Sequence, residues 1–399
     1  MARTSGASGK PRGGCEDEAM STSELERDRS DPVRVHADEL EVPEQLGRRR
    51  LRSRLLLIGG LIVAVALVVT LLPGLSGLRT RLAHASPAWL AVGVVLKLLS
   101  GLGYVAVFRM IFCRRMSWRV STQVGMAELG ANAILPAGGA GGLALGAWAL
   151  RRGGMQSREI ARRTVAFFLL TSVPNVLGVI LIGVALAFGV LAGERSLLLT
   201  ALPAAIALVA VLATLLLGRV AGRAGMRLDA DGGRPRSRRA LAWRESLLAL
   251  GHGVEESLAL LRESNAILIA GLLAYLVFDI AILWAGFRAL GAAPPVAVLA
   301  MAYLIGELGG LIPVPGGLGG VDAGLLGTLV LYHVSITSAA GAVLAYRAIA
   351  LAVPAAAGAL AFHLLRRTLR DEASQLAGCA PDTEMEIIGV GRAVIHVRR

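Results

Sequence analysis

The feature that most constrains this chain is a series of apolar runs too long for the core of a small soluble domain. Residues 55–73, LLLIGGLIVAVALVVTLLP, hold 19 positions without a charged side chain. At about 1.5 Å per helical residue, such a run crosses a ~30 Å hydrocarbon layer. Comparable runs stand at 88–110, 164–191, 196–218, 266–289 and 338–363. Lipid offers no water to backbone N–H and C=O groups, so a spanning segment satisfies them internally, and runs of this length do so as helices. Hydrophobic residues make up 55% of the 399 and charged residues only 17%, too few polar groups to cover a soluble protein of this size. The sequence predicts an all-α polytopic membrane protein with about six transmembrane helices.

Two further apolar segments, 121–150 and 295–335, are broken by Gly and Pro. Arginine placement predicts how they lie. If each segment is re-entrant, dipping in and returning to the same face, 26 arginines flank the spans on one side and four, Arg79, Arg81, Arg195 and Arg288, on the other. Basic residues mark the cytoplasmic side. A single crossing by either segment would flip everything after it and erase the bias. The same clustering argues against nucleic acid as the partner of a chain with net charge +13, because no aromatic residues interleave with the basic ones.

The broken segments are related. Residues 128–143 read ELGANAILPAGGAGGL and residues 307–321 read ELGGLIPVPGGLGGV, offset by 178 or 179 positions. The predicted topology starts one half (55–191) inside and the other (196–363) outside, so the halves form an inverted repeat whose broken helices meet near the midplane. Glycine permits a sharp turn and close approach of a ligand or backbone. Proline ends the entering half-helix. The returning half-helix aims free N–H groups inward, which suits an anion such as phosphate. The glycines in question are Gly138, Gly139, Gly141 and Gly142 in the first turn, and Gly316, Gly317, Gly319 and Gly320 in the second.

Around these turns stand the candidate binding residues. Glu128 and Glu307 occupy equivalent places, at or near where each segment enters the membrane. They are either gating or proton-handling carboxylates, or caps and interface residues. Asp322 either caps the returning half-helix or binds a proton or a cationic headgroup. Arg347, mid-span, contacts a phosphate or pairs with Asp322 or Glu307. Asn132, Asn175 and the Pro174 kink line the same cavity or pack between helices. Lys97 and Asp279, 31 and 28 residues before their respective ELG motifs, read as a buried structural ion pair.

Outside the spans, residues 1–47 read as a disordered cytoplasmic tail and 371–399 as a second one, with a transmembrane domain at 48–370 between them. The 219–264 region joins an arginine-rich loop to an amphipathic helix at 241–264, lying on the inner membrane surface or against the bundle ends. Cys15, Cys113 and Cys379 form no CxxC, so neither a disulfide framework nor a zinc site is indicated. The histidines are scattered, and no nucleophile elbow or phosphate-binding loop is present. No metal, cofactor or enzymatic activity is expected.

The stretch PVPGGLGGVDAGLLGTLVLYHV (313–334), followed by AVLAYRAIALAVPAAAGAL (342–360), resembles the flippase-like transmembrane region of the lysylphosphatidylglycerol synthase family and its stand-alone relatives. ANAILPAGGAGG, 131–142, is a weaker likeness, and the whole covers roughly 50–365. Two positions depart: the first turn is uncharged, and Asp322 stands where a glutamate is common. The resemblance implies a translocase that moves a phospholipid or lipid-linked anionic headgroup between leaflets of the plasma membrane, both termini cytoplasmic. Its partners would be membrane lipids and a separate lipid-modifying enzyme, since the synthases' soluble transfer domain has no counterpart here. An intramembrane enzyme or assembly factor acting on a polyprenyl-phosphate or phospholipid, or a small-solute secondary transporter, is the alternative.

Overall fold

Among the described residues eight helices carry the architecture: α1 (Pro87–Phe112), α2 (Trp118–Ile134), α3 (Ala140–Arg152), α4 (Ser157–Ala187), α5 (Ala266–Ala289), α6 (Val296–Gly309), α7 (Gly320–Leu331) and α8 (Ile336–Asp371). A short apolar helix, Thr200–Val209, follows α4. The structure is a computed structural model that describes residues 80, 82–134, 140–152, 155–193, 200–209, 212–213, 216, 257–263, 265–291, 293–309 and 320–371. Among these there is no strand. The expected first span at 55–73, both tails, most of the 219–264 region, and Gly138, Gly139, Gly316, Gly317 and Gly319 lie outside the described residues.

Among the described residues four helices, α1, α4, α5 and α8, are long and apolar enough to cross a membrane. Where the sequence has its interrupted segments, half-length pairs stand instead: α2 with α3, and α6 with α7. In the first pair, the space beside Gly142 is filled by Asn132 and that beside Gly146 by Glu128. A step of four residues forward on α3 matches four backward on α2, so α3 returns antiparallel along α2. In the second pair, an added Cβ on Gly306 would lie 2.8 Å from Leu325, and one on Gly324 would lie 3.1 Å from the Gly306 Cα. Glycine is what lets these backbones touch.

α5 starts 179 residues after α1, the offset between the two ELG motifs. The two equivalent helices run antiparallel, as inversion of the halves requires. The Ser86 N–H donates to the Ala289 carbonyl at 2.9 Å at one end. The Lys97–Asp279 pair lies between, and Gly103 meets Gly271 toward the other end. The Gly103–Gly271 contact is reciprocal: each glycine's missing side chain would strike the other's carbonyl oxygen, at 2.8 and 2.9 Å.

Aromatic and basic side chains mark the two ends of the bundle. Trp89 and Trp284 meet edge to face at 5.1 Å, with the Arg288 guanidinium against both rings. At the opposite end, Arg109 lies over Trp118 and Arg152 over Trp148. Trp89 and Arg109 are 20 residues apart on α1, or ~30 Å, the thickness of a hydrocarbon core. Between the belts, apolar side chains such as Val95, Leu102 and Leu181 are half exposed or more, as suits a lipid-facing surface.

The helix ends show what hydropathy could not. α4 begins at Ser157 rather than 164 because its first turns are amphipathic and held by the Glu159–Arg163 bridge, 2.6 Å at i,i+4. It stops at Ala187, before the expected 191, in a Schellman motif: Gly189, at φ 71°, donates to Leu186 and Val190 to Ala185. α8 likewise runs past the apolar stretch to Asp371. Of the expected amphipathic helix, the described part packs on the bundle: Leu260 and Leu261 lie against the aromatic core around Tyr104, Phe108 and Phe167. Glu263 pairs with Arg114. Cys113, at the end of α1, is disulfide-bonded, which the cysteine spacing did not indicate.

Candidate functional site

Both glutamates of the repeat stand in the second half of a half-length helix. Glu128 lies ten residues into α2 and Glu307 eleven into α6, so each is ~15 Å from the start of its half-helix and near the turn. Glu128 is 3% exposed. Tyr104 of α1 is its polar neighbour, and its Oε2 has no hydrogen-bond partner. Gly146 of α3 makes the room, since a Cβ there would lie 3.0 Å from Oε2. Two residues on, Gly130 packs closely on α8: a Cβ added there would lie 2.7 Å from both the Gly358 Cα and the Pro354 carbonyl oxygen.

Glu307 stands in charged surroundings. Lys97 donates to both Asp279 oxygens, at 2.8 and 3.0 Å, and the Tyr303 hydroxyl donates to Asp279 Oδ2 at 3.3 Å. The predicted structural pair is therefore present, with side chains 8% and 6% exposed. Tyr303, one helical turn before Glu307, meets Tyr346 edge to face at 6.2 Å. Next to Tyr346, Arg347 pairs through Nε with Asp322. These two are 17% and 26% exposed, so the outer pair opens where the inner pair is closed. The Arg347 Nη2 is buried, with no hydrogen-bond partner among the described residues. Asp279, Arg347 and Lys97 all act electrostatically on Glu307.

The remaining candidates fall on the starts of the returning helices. Gly141 and Gly142 open α3 and Gly320 opens α7. Asn132 Oδ1 accepts the Gly142 N–H at 2.8 Å, so Asn132 satisfies one of α3's orphan donors. Asp322 sits in the first turn of α7, where a carboxylate favours the positive helix end. Thus Arg347, Asp322 and Glu307 gather at the second hairpin, whereas Glu128 and Asn132 belong to the first. Between α3 and α4 runs an open surface groove of about 460 Å³ with apolar walls, including Leu143, Ala147 and Ile160, and with Arg151, Ser157 and Thr164 as its polar lining.

A family model, that of the lysylphosphatidylglycerol synthase TM region, matches residues 56–358. The chain belongs to that family. Among curated proteins none matches it. The lysylphosphatidylglycerol synthase region so defined takes in both hairpins, both glutamates and the Arg347–Asp322 pair.

Sequence reasoning missed the tyrosines. Tyr303 donates to Asp279 and meets Tyr346 edge to face, and the Tyr104 and Tyr275 rings lie 5.7 Å apart; the sequence analysis singled out none of the four. Tyr303 was within reach of inspection, four residues before Glu307 on one helical face. So was an extension of the repeat: Pro174 and Gly178 recur as Pro354 and Gly358 at an offset of 180. Both prolines lie inside long helices.

Proposed function

We propose that this membrane protein moves an anionic phospholipid, or a lipid-linked anionic headgroup, between leaflets of the plasma membrane. The observation that carries the reading is Arg347, whose guanidinium is half-held. Its Nε is engaged by Asp322, while the Nη2 arm is buried and has no hydrogen-bond partner among the described residues. A guanidinium stays charged and offers a fork to phosphate, and Asp322 keeps it compensated until a headgroup competes. The α3–α4 groove supports an amphiphile over a small solute, because apolar walls suit a chain and Arg151 suits its headgroup. In this reading the half-length pairs are re-entrant hairpins that open to opposite faces, both termini are cytoplasmic, and the transporting unit is 48–370. A separate enzyme supplies the modified lipid, and this chain performs no bond chemistry.

The test uses the full chain in liposomes containing labelled phosphatidylglycerol, following label loss from one leaflet. Arg347→Lys keeps the charge without the fork and retains part of the rate. Arg347→Gln loses nearly all of it at an unchanged folded yield. Normal transport by Arg347→Gln would overturn the headgroup contact. A collapse in folded yield would assign Arg347 to the frame instead.

A further inference from the structure

The two halves of the repeat differ at one seam. Their glycine cores align at an offset of 178, so Leu143, Ala147 and Arg151 of α3 stand where α7 has Val321, Leu325 and Leu329. The three α3 residues line the groove against α4, and each is partly or fully exposed. Their α7 counterparts are 7%, 0% and 0% exposed, buried in one apolar cluster with Ala339, Ala342 and Val343 of α8. One seam of the repeat is open and the other is shut.

A second crossing differs in the same sense. Pro174 and Gly178 of α4 align with Pro354 and Gly358 of α8 at an offset of 180. A Cβ at Gly358 would lie 2.5 Å from the Gly130 Cα and 2.7 Å from the Met126 carbonyl oxygen, both backbone atoms of α2. At Gly178 the nearest atoms are side-chain carbons, led by Leu304 of α6 at 3.0 Å. So α8 is drawn in on both its neighbours, whereas α4 is spaced from α6 by a side chain and from α3 by the groove. On the same alignments the Asp322–Arg347 pair, which joins α7 to α8, falls on Ala144 and Phe167. Those two can form no ion pair. The shut seam has a charged latch and the open one has none.

Two packings of equivalent elements are what rocking of one repeat against the other would exchange. We propose that the α7–α8 seam is a second lipid portal, equivalent to the α3–α4 groove and held shut by the Arg347–Asp322 latch. Its ligand is an anionic phospholipid. The phosphate competes with Asp322 for the guanidinium, and an acyl chain replaces α8 along Val321, Leu325 and Leu329. Charge supports that occupant, since the open groove carries Arg151 and the shut seam carries Arg347. The ligand class rests on the translocase reading above; the latch and the opening of the seam do not.

The experiment places the full chain in phosphatidylcholine liposomes holding a phosphatidylglycerol with a photoreactive group on its acyl chain. Cross-linked residues are mapped by mass spectrometry. In the parent, Leu143 and Ala147 are labelled well above Val321, Leu325 and Leu329. Asp322→Asn releases the latch, and labelling at the three α7 positions rises about tenfold, as suits an ion pair between surface and buried strength. Asp322→Ala, the residue of the first half, does the same. A phosphatidylcholine with the same photoreactive group labels the released seam less; equal labelling by the two lipids overturns the anionic class. No rise in either variant, or parent labelling at the seam equal to that in the groove, overturns the latch. Loss of folded yield in both variants assigns the pair to the frame and overturns it too. A rise at the seam with no lipid transfer between leaflets overturns the translocase reading and leaves the portal standing. Lipid transfer with no rise overturns the portal and keeps the translocase.

Discussion

The two hairpins descend from the same sequence pattern and hold their glutamates in opposite ways. At the first, Glu128 is 3% exposed and has no ion pair among the described residues, and the glycines Gly130 and Gly358 let α2 and α8 pack closely. At the second, Glu307 shares its space with two ion pairs that form a gradient of exposure from Lys97–Asp279 out to Arg347–Asp322. The difference lies in a few residues: α7 carries an aspartate in its first turn, and α3 has no acid there. An inverted repeat thus fixes where functional groups stand and leaves their chemistry free to diverge. The first hairpin is built for close packing and the second for charge.

Neutralisation breaks or upholds that contrast most sharply. Asp279→Asn strands Lys97 in the middle of the bundle and should cost about 3–5 kcal/mol, read as a large fall in melting temperature. The exchange Lys97→Asp with Asp279→Lys should recover most of it. Glu128→Gln, by contrast, removes a charge that has no partner and should cost about 1 kcal/mol or less. Equal losses at the two positions would show that Glu128 has a counter-charge and that the hairpins are alike.

A smaller effect bears on the packing side of the comparison. Gly358→Ala puts a Cβ 2.7 Å from the Met126 carbonyl oxygen, so α8 and α2 must part. The expected loss is about 1–3 kcal/mol, measurable as folded yield in detergent. Gly327→Ala, in α7 with open space around it, serves as the control and should be tolerated. A melting temperature for Gly358→Ala equal to the parent's would contradict the close crossing.

The smallest effect lies at the exit of the second hairpin. His333 adopts φ 60° and closes a Schellman turn on α7, its N–H on Val330 and that of Val334 on Leu329. A left-handed conformation costs a non-glycine residue about 1 kcal/mol, so His333→Gly should stabilise the chain by up to that amount. Destabilisation would show that the histidine side chain holds the turn.

Much of this fold was legible because its signals are long-range and redundant. The span at 266–289 matches α5 at both ends, and Asn265, whose side chain accepts from the Ile267 and Leu268 N–H groups, caps its start. Lys97 and Asp279 were paired from sequence because opposite charges in lipid have few other partners. Helix ends such as Ser157 and Ala187 were not legible, since amphipathic turns and a glycine at positive φ leave hydropathy unchanged. The tyrosine pair was hidden because only folding brings α1 and α5 together.

The central claim is that the hairpins open to opposite faces, and paired cysteines test it directly. Arg119→Cys and Gln156→Cys flank the first hairpin, and Val296→Cys and Ser335→Cys flank the second; all four positions are exposed. An impermeant thiol reagent is applied to intact cells, with the parent chain as the blank. The account predicts labelling at both Val296→Cys and Ser335→Cys and at neither Arg119→Cys nor Gln156→Cys. Labelling at one member of a pair but not the other would mean that the hairpin crosses the membrane, and the inverted arrangement would fall with it.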